Sequence, residues 1–120
     1  MNPGGGNMGD EKDLVSGLIL ELRRGTLILS VLSLLNNPRY GYSLVQALEE
    51  KGVSIDPNTL YPLLRRLEKQ GLLQSEWEMG ESKPRKYYHR TSFGNTVFQQ
   101  LKEQWLIMSE NLNQLLKEDS

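Results

Sequence analysis

The chain has 120 residues, enough for one domain with a modest core and too few for a second. Apolar residues make up 38% and charged residues 24%, which excludes a disordered chain, and the absence of cysteine excludes a disulfide framework. A net charge of −1 argues at first sight against a nucleic-acid partner, but residues 65–90 hold Arg65, Arg66, Lys69, Lys83, Arg85, Lys86 and Arg90 against Glu68, Glu76, Glu78 and Glu81, a local excess of positive charge.

In chain order, residues 1–12 open with a glycine-rich stretch lacking apolar periodicity and read as a flexible tail. No Gly-Lys-Ser/Thr follows the glycines, so a phosphate-binding loop is not expected. Residues 13–35 repeat apolar side chains at helical spacing, with Gly25-Thr26 interrupting the middle, so one long helix or two abutting ones would fit. The most apolar run, residues 27–35, is about half the length of a membrane span, and no membrane helix is expected. No Lys or Arg precedes Lys12, so the basic start of a secretory signal is missing; the expected location is cytoplasmic.

Asn36-Asn37-Pro38 ends this helical region, because the residue before a proline is pushed out of the α region. A turn through Tyr40-Gly41 leads to a second helix over about 42–51, stopped by Gly52. Asp56 and Pro57 form a start signal for a third helix reaching Gly71, with Leu60, Leu63, Leu64 and Leu67 facing the core. Pro62 is expected either to delay or to distort its first turns. Residues 72–79 and 85–91 read as a β-hairpin with a charged tip, and Thr91 as the N-cap of a last helix to about residue 117. Tyr87 and Tyr88 alternate, so one should be core and the other exposed. On the last helix Phe98, Leu101, Trp105, Met108, Leu112 and Leu115 form a heptad-type seam suited to a dimer interface.

Three helices followed by a hairpin is the order of a winged helix-turn-helix, in which the third helix enters the major groove of DNA. The expected fold class is mainly α with a small β-hairpin, with residues 13–91 as the DNA-binding unit and 92–120 as a dimerisation helix. Asn58, Thr59, Tyr61, Arg65, Arg66 and Lys69 on the outer face of the third helix can bond base edges or phosphates, and Arg65 is the first choice for a guanine contact. Lys83, Arg85 and Lys86 near the hairpin tip suit phosphate neutralisation, although lysines on an edge strand also simply prevent association. Tyr42, near the start of the second helix, is a further candidate for a phosphate contact. His89 is the only histidine, which rules out a zinc site of Cys and His ligands, and the paired carboxylates show no pocket signal. Neither an enzyme, a metal nor a cofactor is expected.

Arg23-Arg24-Gly25-Thr26, Tyr40-Gly41-Tyr42-Ser43-Leu44, the run from Thr59 through Tyr61-Pro62 to Arg65-Arg66-Leu67-Glu68 with Gly71-Leu72-Leu73, and Pro84-Arg85-Lys86-Tyr87-Tyr88 resemble, in order, the PadR family of transcriptional regulators. The chain departs from the family pattern at Arg90, where an apolar residue is usual. The resemblance implies a homodimer that represses transcription at a palindromic DNA operator and is often relieved by a small molecule. In a short-form member, paired tryptophans at the dimer centre sandwich flat aromatic molecules. Trp105 stands at a similar place, which makes Trp105, Met108 and Ile28 candidates for an aromatic effector site, although a Trp on such a stripe is more often interface. The alternative, motivated by the acidic isoelectric point, is a winged-helix module for protein contact or small-molecule sensing without specific DNA reading.

Overall fold

The computed structural model describes residues 8–80 and 83–119. In order they form helix α1 (Met8–Leu34), strand β1 (Arg39–Tyr40), helices α2 (Gly41–Glu50) and α3 (Pro57–Lys69), strands β2 (Leu73–Glu78) and β3 (Arg85–Arg90), and helix α4 (Ser92–Asp119). One expectation changes at the N-terminal end. The helix begins at Met8, so residues 8–12 belong to it and not to a tail, while residues 1–7 lie outside the described residues. Of the two readings open for residues 13–35, the single long helix is the one observed, α1 running through Gly25.

The core is made by Val31, Leu32 and Leu35 at the end of α1, Leu44 and Leu48 of α2, and Leu60, Leu64 and Leu67 of α3. Ile55, Leu72, Leu73 and Tyr88 close it. Leu63 is only partly buried at its edge. The start of α3 follows its sequence signal: the Asp56 carboxylate accepts from the Asn58 backbone N–H at 2.8 Å and Pro57 occupies the first turn, a cap that stabilises by about 1 kcal/mol. Pro62 neither delays nor ends the helix. It sits exposed within continuous α3 and only deprives the Asn58 carbonyl of its intrahelical donor. Gly52 and Gly71, at φ 84° and 83°, close α2 and α3 in the left-handed conformation that glycine adopts without strain.

The expected hairpin is part of a three-stranded antiparallel sheet in the order β1-β3-β2. Tyr40, read as part of a turn, instead pairs with Tyr87, and its neighbour Arg39 with Tyr88. A strand of two residues is too short to show alternation, and its pairing is set by tertiary contact. Tyr88 is the core member of the tyrosine pair and Tyr87 the half-exposed one.

The end of α1 is closed by two arginines. Arg39 Nε donates to the Leu34 carbonyl at 2.7 Å, and Arg90 Nη1 donates to the Leu32 carbonyl at 3.1 Å. The Leu34 carbonyl is one that a helix terminus leaves without an intrahelical partner, and the Leu32 carbonyl accepts from the Leu35 N–H at 3.2 Å as well. Arg90, unusual by sequence, therefore serves the helix end, with its guanidinium 4.3 Å over the Phe98 ring and its pKa lowered by burial. Thr91 caps α4 as its type indicates, its Oγ1 accepting from the Gly94 N–H at 2.9 Å.

The radius of gyration is 18.2 Å, against about 14 Å for a compact domain of this length. The excess comes from the first half of α1 and most of α4, which run beyond the core. Leu14, Val15, Leu18 and Leu22 on α1 and Leu101, Trp105, Met108, Leu112 and Leu115 on α4 are exposed. Phe98, assigned to the same seam by spacing, turns inward and packs against the core. Leu106, Ile107 and Leu116, which lie off the seam, are exposed as well. No helix among the described residues is long and apolar enough to cross a membrane.

Candidate nucleic-acid interface

At about 100° per residue, Asn58, Arg65 and Lys69 fall on one line of α3, directly opposite the buried Leu60, Leu64 and Leu67, with Tyr61 to one side. Thr59 and Arg66 form a second line about a quarter-turn away. All but the half-buried Tyr61 are exposed. Polar residues of α3 are thus displayed because its leucines are consumed by the core.

Five of the candidate residues meet around one concavity of about 390 Å³: Tyr42 of α2, Tyr61 and Arg65 of α3, and Arg85 and Lys86 of β3. Tyr40, Gly41, Trp77 and Tyr88 complete its lining. Gly41 lets the Tyr61 ring lie close to the start of α2, since a Cβ at this position would stand 2.6 Å from Cε1 of that ring and force it to shift. Asn58, Thr59, Arg66 and Lys69 do not line it. Thr59 instead borders a groove shared with Arg23 and Arg24 of α1, and Lys83 is exposed beside the wing tip, whose residues 81 and 82 lie outside the described residues.

The sheet register explains what each face of the wing carries. Directly opposed residues share a face, so Glu78 with Arg85 and Glu76 with Tyr87 point one way, and Trp77 with Lys86 and Ser75 with Tyr88 the other. On the first face Tyr40 stacks on Tyr42 with ring centroids 5.8 Å apart, and the Arg85 guanidinium lies 4.5 Å above the Tyr40 ring. Arg85 donates to the Tyr42 hydroxyl at 3.3 Å and pairs with Glu78 at 3.5 Å. The Tyr40 hydroxyl donates to Glu78, and this bond raises its pKa above the ordinary tyrosine value. The Glu76 charge does the same for Tyr87, and Glu76 also lies 3.4 Å from His89. On the second face Lys86 pairs with Glu68 of α3 at 4.0 Å and lies over the Trp77 and Tyr88 rings.

Arg85 and Lys86, read from sequence as free cations near the tip, therefore already have carboxylate partners. Arg65, Arg66 and Lys69 form no ion pair among the described residues. The sequence reading missed Tyr40, Trp77 and the acids facing β3. Their signal was present in the alternation of 74–78 against 85–89, but only the register reveals who faces whom.

A second concavity, about 540 Å³, lies between α1 and α4. Trp105, Met108, Leu101, Leu112 and Leu115 of α4 line it with Leu22, Ile28 and Leu29 of α1, so the three candidate effector residues do share one groove. No group of His, Cys, Asp and Glu suited to a metal ion occurs among the described residues.

Helix-turn-helix, wing and a long trailing helix define a winged-helix protein of the transcription-factor type. Residues 28–100 match the transcriptional regulator PadR-like family, and the chain belongs to that family. A crystal structure of a PadR family transcriptional regulator from Eggerthella lenta is 52% identical, covers 89% of this chain and 96% of that one, and superposes with a TM-score of 0.84. A PadR-like regulator from Bacillus cereus is 29% identical over 80% of this chain and 96% of its own, with a TM-score of 0.72. The transcriptional regulator Rv3488 of Mycobacterium tuberculosis is 39% identical over 62 residues, 52% of this chain, and the match spans 58% of that protein's length. The family is one of regulators and not of enzymes.

Proposed function

We propose that the protein is a homodimeric DNA-binding repressor acting in the cytoplasm. Each α3 would enter the major groove of one half of a palindromic operator, the half-sites lying about 34 Å apart. The observation that carries this reading is the convergence of Tyr42, Tyr61, Arg65, Arg85 and Lys86, from three elements, on one concavity beside the exposed face of α3. Asn58, Thr59, Tyr61 and Arg65 are assigned to bases and nearby phosphates. Arg66, Lys69, Lys83, Arg85, Lys86 and Tyr42 are assigned to the DNA backbone. Residues 13–91 act as the DNA-binding unit and 92–120 as the dimerisation helix. An apolar stripe of this extent on α1 and α4 supports pairing with a second copy.

A gel shift against the DNA upstream of the chain's own gene tests the reading. A shift at low salt is expected, with affinity falling steeply and linearly in log–log form as salt rises. No shift at low salt from a stable dimer would favour a protein-contact or sensing module.

For relief of repression we propose a flat aromatic effector in the groove of Trp105, Met108 and Ile28, which changes the separation of the two α3 helices. Planar aromatic compounds are expected to quench tryptophan fluorescence in the wild type and much less in Trp105→Ala. An unchanged response in that variant removes Trp105 from the site.

A further inference from the structure

The wing cations and the α3 cations differ in a way that their residue types do not reveal. Glu78 sits 3.5 Å from Arg85 and is steadied by the Tyr40 hydroxyl. Glu68 lies 4.0 Å from Lys86 and is steadied by Ser75, whose hydroxyl donates to it at 2.6 Å. A carboxylate on a guanidinium or ammonium occupies the place that a DNA phosphate oxygen would take. A backbone phosphate that binds Arg85 or Lys86 therefore competes with a carboxylate and weakens that pair in exchange, whereas Arg65 and Lys69, which form no ion pair among the described residues, exchange only mobile counterions.

Resting on the DNA-reading proposal above, we propose that Glu68 and Glu78 are specificity-determining residues that withhold the wing cations from random DNA. On an operator, base contacts by α3 hold the wing beside a phosphate at high effective concentration, which drives the exchange. On random duplex α3 gains no base contacts, so the exchange is weakly driven and the wing contributes little. The two acids thus subtract more from non-specific than from specific affinity. This follows because non-specific binding is almost wholly electrostatic. Glu68 is placed for this role by α3 itself, so the helix that reads the groove also holds one wing cation.

The test uses the full chain and two probes, a mixed-sequence duplex and the upstream DNA. Glu78→Gln is expected to raise affinity for the mixed duplex by about three- to fivefold, within the range of an exposed ion pair, and to steepen its salt dependence. The upstream DNA should gain less, so their ratio narrows. Glu49→Gln, an equal change of charge at an exposed site on α2, should give less than half of that gain. A double-mutant cycle then asks whether Glu78 acts through Arg85. Arg85→Gln should cost more mixed-duplex affinity in the Glu78→Gln background than in the wild type. Equal costs in both backgrounds, or equal gains for Glu78→Gln and Glu49→Gln, overturn the proposal. Absence of any upstream preference in the wild type would instead defeat sequence reading, and the cycle on the mixed duplex would still decide whether Glu78 restrains Arg85.

Discussion

Replacing Gly94 by alanine is expected to destabilise the protein by about 3 kcal/mol or more, at or above the usual range for overpacking. A Cβ at Gly94 would stand 2.0 Å from the carbonyl oxygen of Leu72 and 3.0 Å from its carbonyl carbon. Both are backbone atoms, so no side chain can swing aside. The obstacle is also pinned from two directions. The Thr91 N–H donates to the Leu72 carbonyl at 3.1 Å, and the Thr91 hydroxyl donates to the Gly71 carbonyl at 2.6 Å. The first turn of α4 therefore rests directly on the turn between α3 and β2, and a methyl group there must lift one from the other. A urea midpoint far below the wild type's, or absence of a folded product, is the expected result. Loss of less than about 1 kcal/mol would mean that α4 can slide without disturbing the core.

Arg65→Ala is expected to cost about 1–3 kcal/mol on the upstream DNA and to relax discrimination at one base position. Arg65 lies opposite the buried leucines of α3, borders the concavity shared with the wing, and forms no ion pair among the described residues. On random duplex the same change removes one cation, so a smaller loss and a shallower salt dependence should follow. Binding titrations on both DNAs, at two salt concentrations, separate these terms. Equal losses on specific and random DNA would reassign Arg65 from bases to phosphate.

The helical part of this arrangement was legible because its signals are local. Leucines at spacings of three and four, an Asp-Pro start and a closing glycine suffice to define α3, and Thr91 alone marks the start of α4. The sheet was legible only in part. Strand-compatible residues over 72–79 and 85–91 marked a hairpin, but β1 is two residues long and exists because Tyr40 and Arg39 find β3. Spacing put Phe98 on the outward seam, yet the Arg90 guanidinium above its ring and the neighbouring core draw it inward. Composition likewise counted Arg85 and Lys86 as free charge. Their pairing with Glu78 and Glu68 depends on register and on the placement of α3 against the sheet, neither of which a linear reading contains.

The two arginines that close α1 bear on how the domain comes apart. Arg39 reaches back five residues to its carbonyl and Arg90 reaches back fifty-eight, both from strands of one sheet. The final turn of α1 therefore gains two guanidinium donors from β1 and β3, and when the strands separate the Leu34 carbonyl loses its Arg39 donor while Leu32 keeps only its bond from the Leu35 N–H. In hydrogen-exchange terms the end of α1 and the sheet are expected to open as one cooperative unit, although 58 residues separate Leu32 from Arg90.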